Sequence, residues 1–204
     1  MKTKKSTYHH GNLREVLISS ALEILKEGTL RDLSLRALAR KAGVSQTAPY
    51  RHFQDKEALI VVLMEDGGIL LQDYMQKAYD ATNDPIERLE NIGVSYYDFS
   101  YDYPAHFRLM FGGSLEDKSK YSCLMKNEEQ SQALLRSVIT DCMKLSGAPK
   151  ADPDIVKLAS WSLVHGLATL ILNEALKDKA LDDKSKRVIV SDVVSFYTRS
   201  IFKK

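Results

Sequence analysis

The stretch Ser34-Leu35-Arg36-Ala37-Leu38-Ala39-Arg40-Lys41-Ala42-Gly43-Val44-Ser45-Gln46-Thr47-Ala48-Pro49-Tyr50-Arg51-His52-Phe53 decides how this chain is read. Leu35, Leu38, Ala39, Ala42 and Val44 supply a buried side at helical spacing. Gly43 interrupts them where a helix would stop, because glycine takes left-handed backbone without steric cost. Alanine at 39 and 42 lets a second helix cross closely. Ser45 or Gln46 then opens that second helix, leaving polar side chains for an outer face. A short helix, a glycine turn and a second short helix are the sequence form of a helix-turn-helix, whose second helix enters a DNA major groove. Pro49 is tolerable only in a first turn, where its missing N–H would be unpaired anyway, so the second helix is expected to begin at Gln46 or Thr47.

Outward from that stretch the apolar residues keep recurring at three and four positions. No strand-like alternation of useful length and no internal repeat interrupts them, so the fold class is all-α. Upstream, Asn12 is a plausible cap for a helix carrying Leu13, Val16, Leu17, Ala21, Ile24 and Leu25, which Gly28 ends. Downstream, a longer helix runs from Asp55 through Leu59, Val62, Leu63, Ile69 and Leu70 toward Asn83, with Gly67-Gly68 as a soft point where a bend is expected. Asp84-Pro85-Ile86-Glu87 combines a cap, a first-turn proline and an acid, and starts another. After Pro104, Gly112-Gly113 and the polar run Glu116 to Lys120, helices are expected near 126–145, 153–177 and 185–202. The charged Lys177 to Lys186 reads as a surface loop.

With 204 residues, 44% of them hydrophobic, the chain can bury a core without staples. Its formal net charge of +2 hides an asymmetry: residues 1–60 hold eleven basic and six acidic side chains, and the remainder is net acidic. A basic N-terminal third on an acidic body suits a polyanion that meets only that third. The N-terminus lacks a signal-peptide core, and no stretch approaches the roughly 18 consecutive apolar residues of a membrane span, so a cytoplasmic protein is expected. Cys123 and Cys142 have neither CxxC spacing nor a histidine cluster beside them, which argues against a disulfide or a zinc site. His9-His10 lacks a third ligand and reads, with Lys2, Lys4 and Lys5, as part of a flexible arm over 1–9. No cofactor or metal is expected.

Residues 10–60 resemble the N-terminal domain of the TetR/AcrR regulators. The alanine-glycine turn, the Tyr50-Arg51-His52-Phe53 run and the Asp55-Lys56 opening of the next helix occur in the expected order and spacing. Carried over residue by residue, the resemblance makes Ser45, Gln46, Thr47, Ala48 and Arg51 candidates for the DNA face. Arg51 suits guanine, Gln46 suits adenine, and Thr47 and Ala48 suit a thymine methyl. Tyr50, His52 and Lys56 match positions that hold phosphate, and Arg36 is placed for a phosphate or the groove edge. Tyr50 and His52 have a second reading as packing residues of a small domain. Pro49 departs from the leucine of many relatives.

The remainder divides as a body, 56–204, behind a head, 1–55. Residues 94–111 gather much of the aromatic content, most of it core at helical spacing. Tyr97, Tyr101 and Tyr103 also carry hydroxyls that suit an apolar pocket with a few polar anchors. Trp161, His165 and Gly166 resemble the Trp-His-Gly signature of a C-terminal domain in one TetR subgroup, as does the stretch 103–111. Tyr97, Tyr101, Phe107, Phe111, Trp161 and His165 are therefore the ligand-site candidates, with His165 equally readable as a core histidine. Gly166 is expected to permit close helix approach. The last two helices carry more apolar surface than one chain can cover, and the resemblance implies a homodimer through them on palindromic operator DNA. The function so implied is a DNA-binding regulator, a repressor released by an unidentified small molecule. A constitutive DNA binder and an enzyme on a helical scaffold are the competing readings; the second lacks a catalytic constellation.

Overall fold

The computed structural model describes residues 13–145, 150–175 and 182–202. The arm 1–9, the Asn12 cap and His9-His10 lie outside them. Among the described residues there are eight α-helices and no strand: α1 Leu13–Glu27, α2 Leu35–Lys41, α3 Lys56–Asp80, α4 Pro85–Asp102, α5 Pro104–Phe111, α6 Ser122–Cys142, α7 Pro153–Leu172 and α8 Asp183–Phe202. Short 3₁₀ turns occupy Pro49–Arg51 and Lys118–Lys120.

Local chemistry sets most boundaries. Ser34 accepts the Ala37 N–H at the start of α2, Asp55 that of Ala58 at α3, Asp84 those of Ile86 and Glu87 at α4, and Asp152 that of Asp154 at α7. Proline stands at the first turn of α4, α5 and α7. Against the expected spans, α6 starts at Ser122 instead of 126 and α8 at Asp183 instead of 185. The largest departure lies after the glycine turn. Gln46–Ala48 form a turn leading into Pro49–Arg51, and the segment is not an α-helix. The Ala48 N–H bonds Ser45 O, Arg51 N–H bonds Ala48 O and His52 N–H bonds Pro49 O, all three-residue steps. Pro49 has no N–H with which to close a four-residue step onto Ser45, so the tighter coil takes over. The proline opens its short helix, two to three residues later than the start expected at Gln46 or Thr47.

Gly67-Gly68 does not break the 25-residue α3. The pair is buried because other chain segments press on it. A Cβ at 67 would come within 2.8 Å of Met110 Sδ and 3.0 Å of His106 Cβ, and one at 68 within 2.9 Å of Asn127 Cβ. Glycine here admits α5 and α6.

Two hydrophobic clusters result. One joins Leu17, Ala21, Leu25, Leu35, Leu38 and Phe53 to Leu59, Ile60 and Leu63 of α3, and takes in Ala105 and Leu109 of α5. The other centres on α4, with Leu89, Ile92, Tyr96 and Phe99 packed against Val138 and Ile139 of α6 and Val190, Val194 and Phe202 of α8. Helix α8 is further tied to α4 by a bidentate Arg187–Asp98 pair at 2.8 and 2.9 Å and by Arg199–Glu90 at 3.3 Å. Helix α7 is, by length and mean composition, apolar enough to cross a membrane although polar residues interrupt it, and 22% of that stretch is buried in the chain.

Candidate functional site

The head presents a compact polar surface. Helix α2 ends in a Schellman motif: Val44 N–H bonds Ala39 O at 3.0 Å, Gly43 N–H bonds Arg40 O at 3.3 Å, and Gly43 sits at φ +68°. That closure aims the next segment away from the core. Pro49 and Phe53 are buried and anchor it, while Ser45, Gln46, Thr47, Tyr50, Arg51 and His52 are exposed. Tyr50 is 52% exposed, so it does not pack the domain. Ser45 Oγ and Thr47 Oγ1 lie 3.3 Å apart. Arg36 and Arg51 make no ion pair among the described residues, whereas Lys41 is held by Glu23 and Glu27 at 3.2 Å each. Lys56 donates to the Leu30 carbonyl, bracing the α1–α2 corner, and is half-buried. Cations outside any ion pair, beside small polar side chains on a tightly turned segment, can hold phosphates and read groove edges.

The body contains a cavity of about 140 Å³. Its walls are Met64, Gly68, Leu71 and Met75 of α3, Leu89, Ile92 and Tyr96 of α4, Met110 and Phe111 of α5, Leu124 and Leu135 of α6, Trp161 and Val164 of α7, and Val194, Tyr197 and Thr198 of α8. Lys118, Asn127, Glu128 and Gln132 form its wetter side. Two of these are already engaged, Lys118 with the Met110 carbonyl at 2.6 Å and Asn127 with the Glu65 carbonyl at 3.2 Å. One wall is an aromatic cluster. His165 stacks on Phe107 with centroids 5.5 Å apart and meets Phe111 edge-on at 5.0 Å. Its Nδ1 lies 2.8 Å from the Tyr96 hydroxyl. Burial holds the His165 imidazole below the usual histidine range and pushes the Tyr96 phenol up, the latter offset in part by the Trp161 indole. Behind that wall, a cleft of about 420 Å³ separates α1 and Gly28–Leu30 from α5 and α7, and Phe111 faces both spaces.

Comparison with known proteins decides the family. Residues 17–63 match the model of "Bacterial regulatory proteins, tetR family", and residues 89–192, half of the chain, match "Tetracyclin repressor-like, C-terminal domain". The chain belongs to the TetR family. An uncharacterized HTH-type transcriptional regulator of Haemophilus influenzae is 36% identical over 66 residues, a match spanning 32% of each chain. Among solved structures, a protein of unknown function from Rhodococcus sp. RHA1 is 28% identical with a TM-score of 0.79 over 98% of each chain. The TetR-family regulator PfmR of Thermus thermophilus (18% identity, 92% of this chain and 97% of that one, TM-score 0.71) shares the fold. So does FadR of Bacillus subtilis, solved in complex with stearoyl-CoA (12% identity, 93% of this chain and 98% of that one, TM-score 0.71).

In this TetR-family fold the ligand candidates separate. Phe111 and Trp161 line the cavity. Phe107 and His165 stand behind it and face the cleft toward the head. Tyr97 and Tyr101 lie elsewhere on α4: Tyr101 donates to Asp183 at 2.5 Å, and the Tyr97 hydroxyl is buried without a partner among the described residues, its pKa pushed up to about 12 by desolvation first and by Asp183 next. The helix explains the split, since Tyr96 and Tyr97 point about 100° apart, and of the two buried rings only Tyr96 lines the cavity. Most of the lining lay outside the candidates, Tyr96, Tyr197 and Thr198 among it. Thr198 had a legible signal: it interrupts the buried stripe Val190, Val194, Thr198, Phe202 at four-residue spacing. Gly166, expected to admit a neighbouring helix, has nothing within 4 Å of its would-be Cβ inside the chain.

Proposed function

We propose that this TetR-family chain is a transcriptional repressor that acts in the cytoplasm as a homodimer, binds a palindromic operator through Arg36, Ser45, Gln46, Thr47, Ala48, Tyr50, Arg51, His52 and Lys56, and releases it when a small molecule fills the body cavity. The head is 1–55 and the body 56–204. The observation that carries the reading is that α3 and α5 each belong to both. Leu59, Ile60 and Leu63 of α3 sit in the head core, and Leu71 and Met75 of the same helix line the cavity. Ala105 and Leu109 of α5 sit in the head core, and Met110 and Phe111 line the cavity. A ligand that fits one setting of these helices better than another therefore biases the head. To move a population from 99% DNA-competent to 1% it must prefer the released state by about 10⁴-fold.

Dimerisation is supported by a stripe on α7, Ile155 (62% exposed), Leu158, Ala159, Ser162, Gly166 and Leu170, continued by Val188 and Phe196 of α8. Small residues within an exposed apolar stripe suit the close crossing of a second copy, which accounts for the open space at Gly166. Trp161, His165 and Gly166 further mark the chain as one of the subgroup with a Trp-His-Gly type C-terminal domain. In this reading the aromatic cluster binds its ligand without transforming it.

The test is gel shift of the full-length protein on DNA flanking its coding region, over a salt series. A complex that resists competitor DNA and weakens linearly on a log–log salt plot is expected. Equal, weak binding to all DNA would overturn the reading.

A further inference from the structure

The cleft between head and body has a lining of different chemistry from that of the cavity. At about 420 Å³ it has room for a small organic molecule. Leu25 and Leu30 line it from the head and Phe107 and Phe111 from α5, which makes the walls largely apolar. Among the described residues Arg108 is the only charged side chain of the lining, and it is exposed, with no ion pair and no side-chain hydrogen bond. On α7, His165 and Thr169 lie four residues apart and share a face. The Tyr96 hydroxyl, 2.8 Å from His165 Nδ1, has no other acceptor among the described residues, so it donates there. Burial keeps the imidazole neutral, and a neutral ring that accepts at Nδ1 carries its own proton on Nε2. Neither Nε2 nor Thr169 Oγ1 has a hydrogen-bond partner among the described residues. The buried unpartnered side-chain atoms there are those of Tyr97 and Thr198, so Nε2 and Thr169 Oγ1 are open to an occupant. The cleft thus combines donors, Arg108, the Nε2–H of His165 and the Thr169 hydroxyl, with apolar walls and no carboxylate.

We infer that this cleft is a second ligand site, separate from the body cavity, and that it takes an organic monoanion: a carboxylate held by Arg108 with His165 and Thr169, and an apolar body against Phe107, Leu25 and Leu30. A guanidinium pairs a carboxylate through two parallel N–H donors, and with no acid in the lining to compete for it, an anion is the charge that fits. Its occupant touches head and body at once. The assignment does not depend on the cavity being the effector site.

2-Naphthoate and 2-naphthamide are the probes, alike in their rings and different in charge, titrated into the full-length protein by calorimetry at two temperatures. Naphthoate should bind at least about tenfold more tightly than naphthamide, as one charge-assisted pair predicts. Arg108→Gln, at an exposed position, should remove the preference, and Arg108→Glu should leave naphthamide the better bound. Arg108 does not line the cavity, so these losses locate the anion in the cleft. Equal affinity for the two probes, a naphthoate preference that survives in Arg108→Gln, or no binding heat with naphthoate up to millimolar concentration would overturn the assignment. Each of those results leaves the reading of the cavity untouched.

Discussion

At Gly43 the backbone stands at φ +68° and nothing lies within 4 Å of the position a Cβ would take. The demand for glycine there is thus conformational, not steric. Gly43→Ala should lower stability by about 1–2 kcal/mol, the cost of a left-handed β-carbon, read as a fall in the thermal or urea midpoint. It should also blunt DNA binding, because the Schellman closure orients the segment that follows. Gly43 was plain in the sequence, since a glycine after an apolar helical pattern has few other uses. Pro49 was only half legible. Its first-turn position followed from the missing N–H, but the restriction of the helix to the 3₁₀ turn Pro49–Arg51, with Pro49 and Phe53 both buried, is not encoded in spacing alone. The same limit hid Tyr96: aromatic residues at 96, 97, 99 and 101 cannot be sorted between cavity, core and surface until the rotation of α4 is known.

Helix α5 and helix α7 each carry a histidine whose imidazole is held below its ordinary value by burial, His106 and His165. Such a group binds its proton more readily in the unfolded chain. Stability is then full above the unfolded histidine value near 6.5 and declines as pH falls from there toward the lowered folded value. Thermal midpoints measured from pH 7.5 down to 5.5 should fall, and the His106→Gln, His165→Gln double variant should flatten that fall. At this scale the sequence was informative wherever a cap stood before an apolar run, as at Ser34, Asp55, Asp84 and Asp152. Gly67-Gly68 was ambiguous because glycine inside a helix has two explanations, flexibility and close approach. Only the positions of Met110, His106 and Asn127 choose between them.

Across the whole molecule, two hydrophobic clusters share α3 and α5, so the head is not an independent bead on a linker. That sharing was invisible in the sequence, where the Asp55 cap marks a helix start and nothing more. The excess apolar surface of the last two helices was visible, and Phe196, 76% exposed on α8, is its most open member. Phe196→Glu should leave helix content unchanged, convert the proposed dimer to a monomer in sedimentation velocity and abolish high-affinity operator binding, because a single head makes half the contacts. Selection of bound duplexes from a random pool, run in parallel with the unaltered protein and Arg51→Ala, decides whether two heads read DNA as a symmetric pair. Enrichment of a two-fold symmetric site with half-sites about one DNA turn, or a multiple of it, apart is expected, with loss of preference at one position of each half-site in the variant. No enrichment, or an enriched site that is asymmetric and unchanged by Arg51→Ala, would contradict a symmetric pair.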